Sequence, residues 1–89
     1  MKYELGILGL GKMGSSILSG IIKSNIYTKN EIILYDVDEE KMKNYISNGY
    51  VFSDSEEKVF NESKMVLIAI KPQMFKELEK KHRKKSDSI

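Results

Sequence analysis

The chain has no cysteine and only one histidine and one proline among its 89 residues, and none of its apolar runs is as long as a membrane span. Without cysteine there is neither a disulfide framework nor a thiolate metal site. A lone histidine, His82, makes a histidine-based zinc site or a Ser-His-Asp triad implausible. Short apolar segments predict no transmembrane helix. Glu4 interrupts the first apolar segment and a glycine-rich turn follows closely, so no secretory leader is expected and the reading is a soluble, cytoplasmic protein. Charge of one sign is also scarce. The formal net charge is +2, and it is unevenly placed: residues 1–75 hold nine lysines against ten acids, whereas residues 76–89 hold six Lys or Arg against three acids. Basic character therefore belongs to the end of the chain.

What remains suits one small folded domain, with 40% apolar residues. Its most informative stretch is near the start. Tyr3 to Leu8 reads as a strand, Gly9-Leu10-Gly11-Lys12-Met13-Gly14 follows at once, and Ser15 to Lys23 reads as a helix with Met13, Ile17, Leu18, Ile21 and Ile22 on one apolar stripe. A G-x-G-x-x-G turn between a strand and a helix is the signature of a dinucleotide pyrophosphate site. The first glycine turns the chain out of the strand. The second lets the backbone approach the phosphates, and the third lets the helix pack closely on the sheet. The free N–H groups and the dipole of the helix N-terminus then face the anion.

The rest of the chain repeats the strand-helix alternation. Glu31 to Tyr35 reads as a second strand, buried on both faces and ending at Asp36. Asp38-Glu39-Glu40 reads as the start of a helix whose buried face is Met42, Tyr45 and Ile46, and Asn48-Gly49 ends it with Gly49 in the left-handed position. Tyr50-Val51-Phe52 is a short third strand. Ser53 with Glu56 predicts a capping box for a brief helix ending near Asn61. Met65 to Ile70, the most apolar run, reads as strand four. Lys71-Pro72 breaks it, and Pro72 opens a further helix with Met74, Phe75 and Leu78 on one side. Met13, Met42, Met65 and Met74 are expected to fill the core, and Tyr35 and Tyr45 to pack on the sheet.

This order predicts an α/β fold, a Rossmann-like half with a parallel sheet of about four strands in the order 3-2-1-4 and flanking helices. Residues 1–79 form the expected dinucleotide-binding domain, and residues 80–89 an expected basic, disordered tail. With strands five and six missing, strand four is an open sheet edge, which predicts self-association through that side.

Candidate ligand contacts follow from this placement. Gly9, Leu10, Gly11, Lys12, Met13 and Gly14 present the main chain to the pyrophosphate, while the Lys12 side chain reads as solvated. Asp36 stands at the end of strand two, twenty-two residues beyond Gly14, which fits an acid that accepts from the adenosine ribose. A carboxylate there favours NAD and repels the 2′-phosphate of NADP. The same residue also fits an acid that merely leads the next helix, and both readings stand. Ala69, Ile70, Lys71 and Pro72 follow strand four, where the crevice beside strand one receives the cofactor. Lys71 is a candidate for phosphate or nicotinamide-side groups, or simply a solvated strand-end lysine. The run Lys80 to Lys85 has no interleaved aromatic residue, so neither nucleic acid nor a membrane surface is an expected partner.

With these residues in place, the chain resembles the N-terminal domain of pyrroline-5-carboxylate reductases. The resemblance rests on Ile7 to Gly14, on the Tyr35-Asp36 strand end, and above all on Ile68-Ala69-Ile70-Lys71-Pro72-Gln73, and it covers about residues 1–79. It implies an NAD(P)H-dependent oxidoreductase of proline biosynthesis that reduces the C=N bond of 1-pyrroline-5-carboxylate to L-proline. It also implies that Gly9 through Gly14 hold the pyrophosphate and that Ala69 to Pro72 line the nicotinamide side. The family usually prefers NADPH, against the reading of Asp36. Its members are much longer and add a helical C-terminal domain that forms the dimer and the substrate pocket. The present chain is therefore expected to bind cofactor without useful turnover, and no catalytic residue can be assigned in it. Two alternatives are a piece of another dehydrogenase, of the β-hydroxyacid or ketopantoate type, and a non-catalytic nucleotide-binding module. Lys71-Pro72-Gln73 argues against the first and the short length favours the second.

Overall fold

Apolar residues alternate along β1, Tyr3–Leu8, so that both of its faces are buried: Leu5 and Ile7 point to one side, Leu8 to the other. The computed structural model describes residues 2–70, and in it β1 lies inside a four-stranded parallel sheet. The sheet has the order β3-β2-β1-β4, with β2 at Ile32–Tyr35, β3 at Val51–Phe52 and β4 at Ser63–Ile68. This is the predicted 3-2-1-4 order. Helices α1, Lys12–Lys23, α2, Glu39–Ser47, and α3, Glu56–Glu62, make the crossovers. Leu18, Ile21 and Ile22 of α1 and Tyr45 of α2 pack on the face formed by Leu5, Ile7, Ile32 and Leu34. Val59 and Phe60 of α3 pack on the opposite face with Leu8 and Ile33. The expected packing of Tyr35 and Tyr45 against the sheet is found, one on each face.

Local chemistry explains where the elements stop. The Asp38 carboxylate accepts from the N–H groups of Glu40 and Lys41 and so caps α2. Gly49, at φ +88, ends the same helix: its N–H donates to the Ile46 carbonyl and that of Tyr50 to the Tyr45 carbonyl. Asn25, at φ +56, plays the same part after α1, with Asn25 N–H on Ile22 and Ile26 N–H on Ile21. Asparagine tolerates this conformation better than other residues with a side chain.

Several boundaries differ from the sequence reading. Helix α1 begins at Lys12, not Ser15, because the Gly11 carbonyl already accepts from Ser15 N–H at 2.9 Å, closing the first helical turn through Gly14. Glu31 belongs to a 3-10 turn, Lys29–Glu31, and its carboxylate accepts from the Thr28 N–H and hydroxyl. Tyr50 is used by the end of α2, which shortens β3. The cap of α3 is Ser55, whose hydroxyl accepts from Lys58 N–H, and not Ser53. Ser53 is buried and its hydroxyl folds onto the backbone of Ser55. Strand β4 starts at Ser63 and ends at Ile68, two residues earlier than expected at both ends, because its register is set by pairing Tyr3 with Ser63 and Leu8 with Ile68. Met13, Met65 and Ile46 are 58%, 62% and 52% exposed, so they do not fill the core. Met13 sits in the first turn of α1 and Met65 on an edge strand, where no described element covers them. Met74, the helix expected after Pro72 and the tail at 80–89 lie outside the described residues.

Close packing fixes one further position. A Cβ on Gly6 would stand 2.5 Å from both Ser63 Oγ and Val59 Cγ1, because α3 and β4 close directly over β1. Gly6→Ala is expected to cost about 2 kcal/mol, as overpacking of a filled interior does. A urea titration of the full chain followed by circular dichroism measures it.

Candidate functional site

The carboxyl ends of β1, β2 and β4 meet at the glycine turn. Gly9 takes φ +97, a conformation that other residues adopt at a cost, and its N–H donates to the Tyr35 carbonyl at 2.9 Å. A Cβ on Gly9 would lie 2.5 Å from the Ala69 carbonyl oxygen and 2.7 Å from Ile70 Cγ2. A Cβ on Gly14 would fall on the Gly9 carbonyl oxygen. Gly9, Gly14, Ala69 and Ile70 thus form one tightly packed unit. It is tied by the Ala69 N–H, which donates to the Leu8 carbonyl at 2.7 Å.

Gly11 is different. Its φ is −71, open to any residue, and among the described residues nothing lies within 4 Å of where its Cβ would be. Neither strain nor crowding by the described residues explains a glycine there. The open space lies at the N-terminus of α1, where Gly11 is the N-cap without a side chain and the first turn carries no acid. The first N–H groups of a helix have no partner within it. Helices α2 and α3 meet that need with Asp38 and Ser55 and add Glu39, Glu40, Glu56 and Glu57 to complement the dipole. At α1 the Ser15 hydroxyl turns back to the Gly11 carbonyl at 2.7 Å and caps nothing. Among the described residues the mouth of α1 is therefore left with donors that no side chain caps, a positive dipole end and room for an anion beside Gly11. Exposed Lys12 and Met13 flank it.

Asp36 stands beside this mouth, half-buried. Its Oδ2 accepts from Leu10 N–H at 2.7 Å and its Oδ1 from Asp38 N–H at 2.9 Å. The Leu10 side chain is buried in the face covered by α1. Burial first, then Tyr50 and the Asp36 carboxylate, raise the Tyr45 hydroxyl above its ordinary pKa, so it stays neutral at physiological pH.

These features fit a dinucleotide, and the chain's relatives agree. Residues 4–89 match the family described as NADP oxidoreductase, coenzyme F420-dependent. The chain belongs to this family. Its Rossmann-like fold is consistent with the nicotinamide-dinucleotide-binding domain of that oxidoreductase family. Among curated relatives, a pyrroline-5-carboxylate reductase of Methanosarcina acetivorans is 35% identical over 73 residues, 81% of this chain and 27% of the relative. Enzymes of the same name from Pisum sativum and Synechocystis are 29% and 34% identical, over 86% and 83% of this chain and 28% of their own lengths. The chain thus spans just over a quarter of the curated relatives it matches.

Of the residues singled out in the sequence, Gly9, Leu10, Gly11, Lys12, Met13, Gly14, Asp36, Ala69 and Ile70 come together around the turn. Lys71 and Pro72 lie outside the described residues. Sequence reasoning did not find the bond from Leu10 to Asp36 or the Tyr35 and Leu8 carbonyls that hold the turn. Backbone donors and acceptors are the same at every residue, so they leave no mark in a sequence. A cleft between α1 and α2, lined by Leu18, Ile22, Tyr45 and Tyr50, is separate from the turn. No cluster of potential metal ligands occurs among the described residues, and no described helix is long and apolar enough to cross a membrane.

Proposed function

We propose that this chain is the NAD(P)H-binding portion of a pyrroline-5-carboxylate reductase of proline biosynthesis. The observation that carries this reading is the mouth of α1, which among the described residues has no side-chain cap and is open beside Gly11. The names of the relatives supply the substrate. The bound nicotinamide would supply hydride for the C=N carbon of 1-pyrroline-5-carboxylate, giving L-proline. The chain's own residues bind and orient. The N–H groups at Gly11, Lys12, Met13 and Gly14 hold the pyrophosphate, with Gly9 and Leu10 shaping their approach. Ala69 and Ile70, with Lys71 and Pro72 following them in the sequence, line the nicotinamide side. Asp36 faces the adenosine ribose and favours NAD, whereas the family resemblance favours NADP. A cytoplasmic location, with residues 1–79 as the cofactor domain, is part of the same reading.

Isothermal calorimetry with NADH and NADPH tests it directly. Saturable heat with at least one coenzyme is expected, and none with either would refute the reading. A steady-state assay with 1-pyrroline-5-carboxylate and each coenzyme is expected to show no useful turnover by the 89-residue chain, since attack geometry depends on groups outside it. Turnover at the rate of a full-length reductase would show that the substrate pocket is already present.

The outer edge of β4 has no strand partner among the described residues, and Met65 on it is exposed. Such an edge offers unpaired backbone groups to another chain. We infer self-association along this side. Sedimentation velocity over a concentration series is expected to show dimers at high concentration, and a strictly monomeric profile throughout would exclude them.

A further inference from the structure

We propose that Asp36 is a positioning residue that holds the pyrophosphate turn in its binding shape before any nucleotide arrives. The proposal rests on the cofactor reading above and deepens it. Its basis is the way one carboxylate joins three segments: the end of β2, which it terminates, the turn between β1 and α1 through Leu10 N–H, and the entry to α2 through Asp38 N–H. The bond to Leu10 spans twenty-six residues of sequence, is partly buried and measures 2.7 Å. Charge-assisted hydrogen bonds of this length are among the stronger ones available to a backbone amide.

The effect on the turn is specific. The two peptides that flank Gly9 are both held, the first by Gly9 N–H on the Tyr35 carbonyl and the second by Leu10 N–H on Asp36. Gly9 at φ +97 places the next residue, and the Leu10 side chain is buried in the core. With those peptides fixed, the direction of Gly11 and of the first N–H groups of α1 is fixed too. A turn that is ordered in advance spares the ligand the cost of ordering it. A carboxylate oxygen can accept more than one hydrogen bond, so this role and a contact with the ribose do not compete in principle. The acid that was read two ways in the sequence thus acts through the main chain of the turn, whatever it adds at the ribose.

Two measurements on the full chain decide the matter. Amide hydrogen exchange on the ligand-free wild type is expected to show Leu10 protected like a strand amide. In Asp36→Asn the protection at Leu10 falls while that of α3 and β4 stays. Exchange at Leu10 as fast as in an exposed loop, or an equal loss of protection across the whole sheet in the variant, would overturn the proposal. Calorimetry then compares NAD with the analogue lacking the adenosine 2′-hydroxyl. Asp36→Asn is expected to weaken both by about the same factor, roughly tenfold, as loss of a charge-assisted bond implies. A loss confined to NAD would mean that Asp36 acts through the ribose alone. If the wild type binds neither nucleotide, the cofactor reading fails, while exchange at Leu10 still decides whether Asp36 fixes the turn.

Discussion

Gly11→Asp is expected to make the domain slightly more stable and to weaken greatly its affinity for nicotinamide dinucleotides. Among the described residues nothing lies within 4 Å of the position that the new Cβ would take, and the backbone at φ −71 suits any residue, so the substitution meets no steric cost from them. Aspartate is also a good N-cap: its carboxylate accepts from the donors that Gly11 leaves open and complements the dipole of α1, for a gain of about 0.5 kcal/mol. On the proposed reading the same carboxylate would occupy the place of the diphosphate and repel it. Losing charge-assisted bonds and adding repulsion across a few ångströms should weaken binding by at least about 100-fold. Thermal melting and calorimetry on the same sample check both halves. A fall in both stability and affinity would mean that Gly11 is a glycine for the fold's sake and that the mouth of α1 is not the anion site.

Gly14→Ala has the opposite signature. Its Cβ would fall on the carbonyl oxygen of Gly9, a backbone atom that cannot rotate away. Gly9 cannot retreat either, since its N–H is held by the Tyr35 carbonyl and the Ala69 carbonyl stands 2.5 Å from the position of its missing Cβ. The helix must therefore move off the sheet, taking Leu18 out of the core face that it fills. A cost of about 3 kcal/mol or more is expected, against a total of about 5 kcal/mol for a domain this small. Urea denaturation should show the midpoint displaced far toward zero, and a midpoint unchanged from wild type would contradict the close approach of α1 to Gly9. The pair would separate two reasons for glycine within one motif: close packing on Gly9 at Gly14 and, on the proposed reading, the bound ligand at Gly11.

Legibility in the sequence followed the kind of signal each feature leaves. The strands around Ile7, Ile33 and Leu67 were readable because buried parallel strands need unbroken apolar runs, and the end of α2 was readable because Gly49 alone takes the left-handed turn cheaply. The start of α1 was misplaced because a glycine in a first turn looks like a break until the sheet beneath it is known. The serine that caps α3 was misassigned because Ser53 and Ser55 carry the same hydroxyl; which one caps is decided by the extension of the β2–β3 ladder to Ser53, whose N–H donates to the Leu34 carbonyl. Exposure of Met13, Met65 and Ile46 escaped notice because apolar character marks a tendency to be covered, not the presence of a cover.

The order of amino acids alone determined that this chain alternates strands and helices, that its first crossover opens on a glycine turn, and that an acid stands at the end of the second strand. Such features are local, written in periodicity, caps and glycines. Only the tertiary structure decided that Gly14 lies against Gly9, that the residues after β4 close over the turn, that Gly11 faces open space, and that Asp36 grips Leu10. Those relations join residues tens of positions apart, through main-chain groups common to every residue, and they exist only once the parallel sheet has set its register.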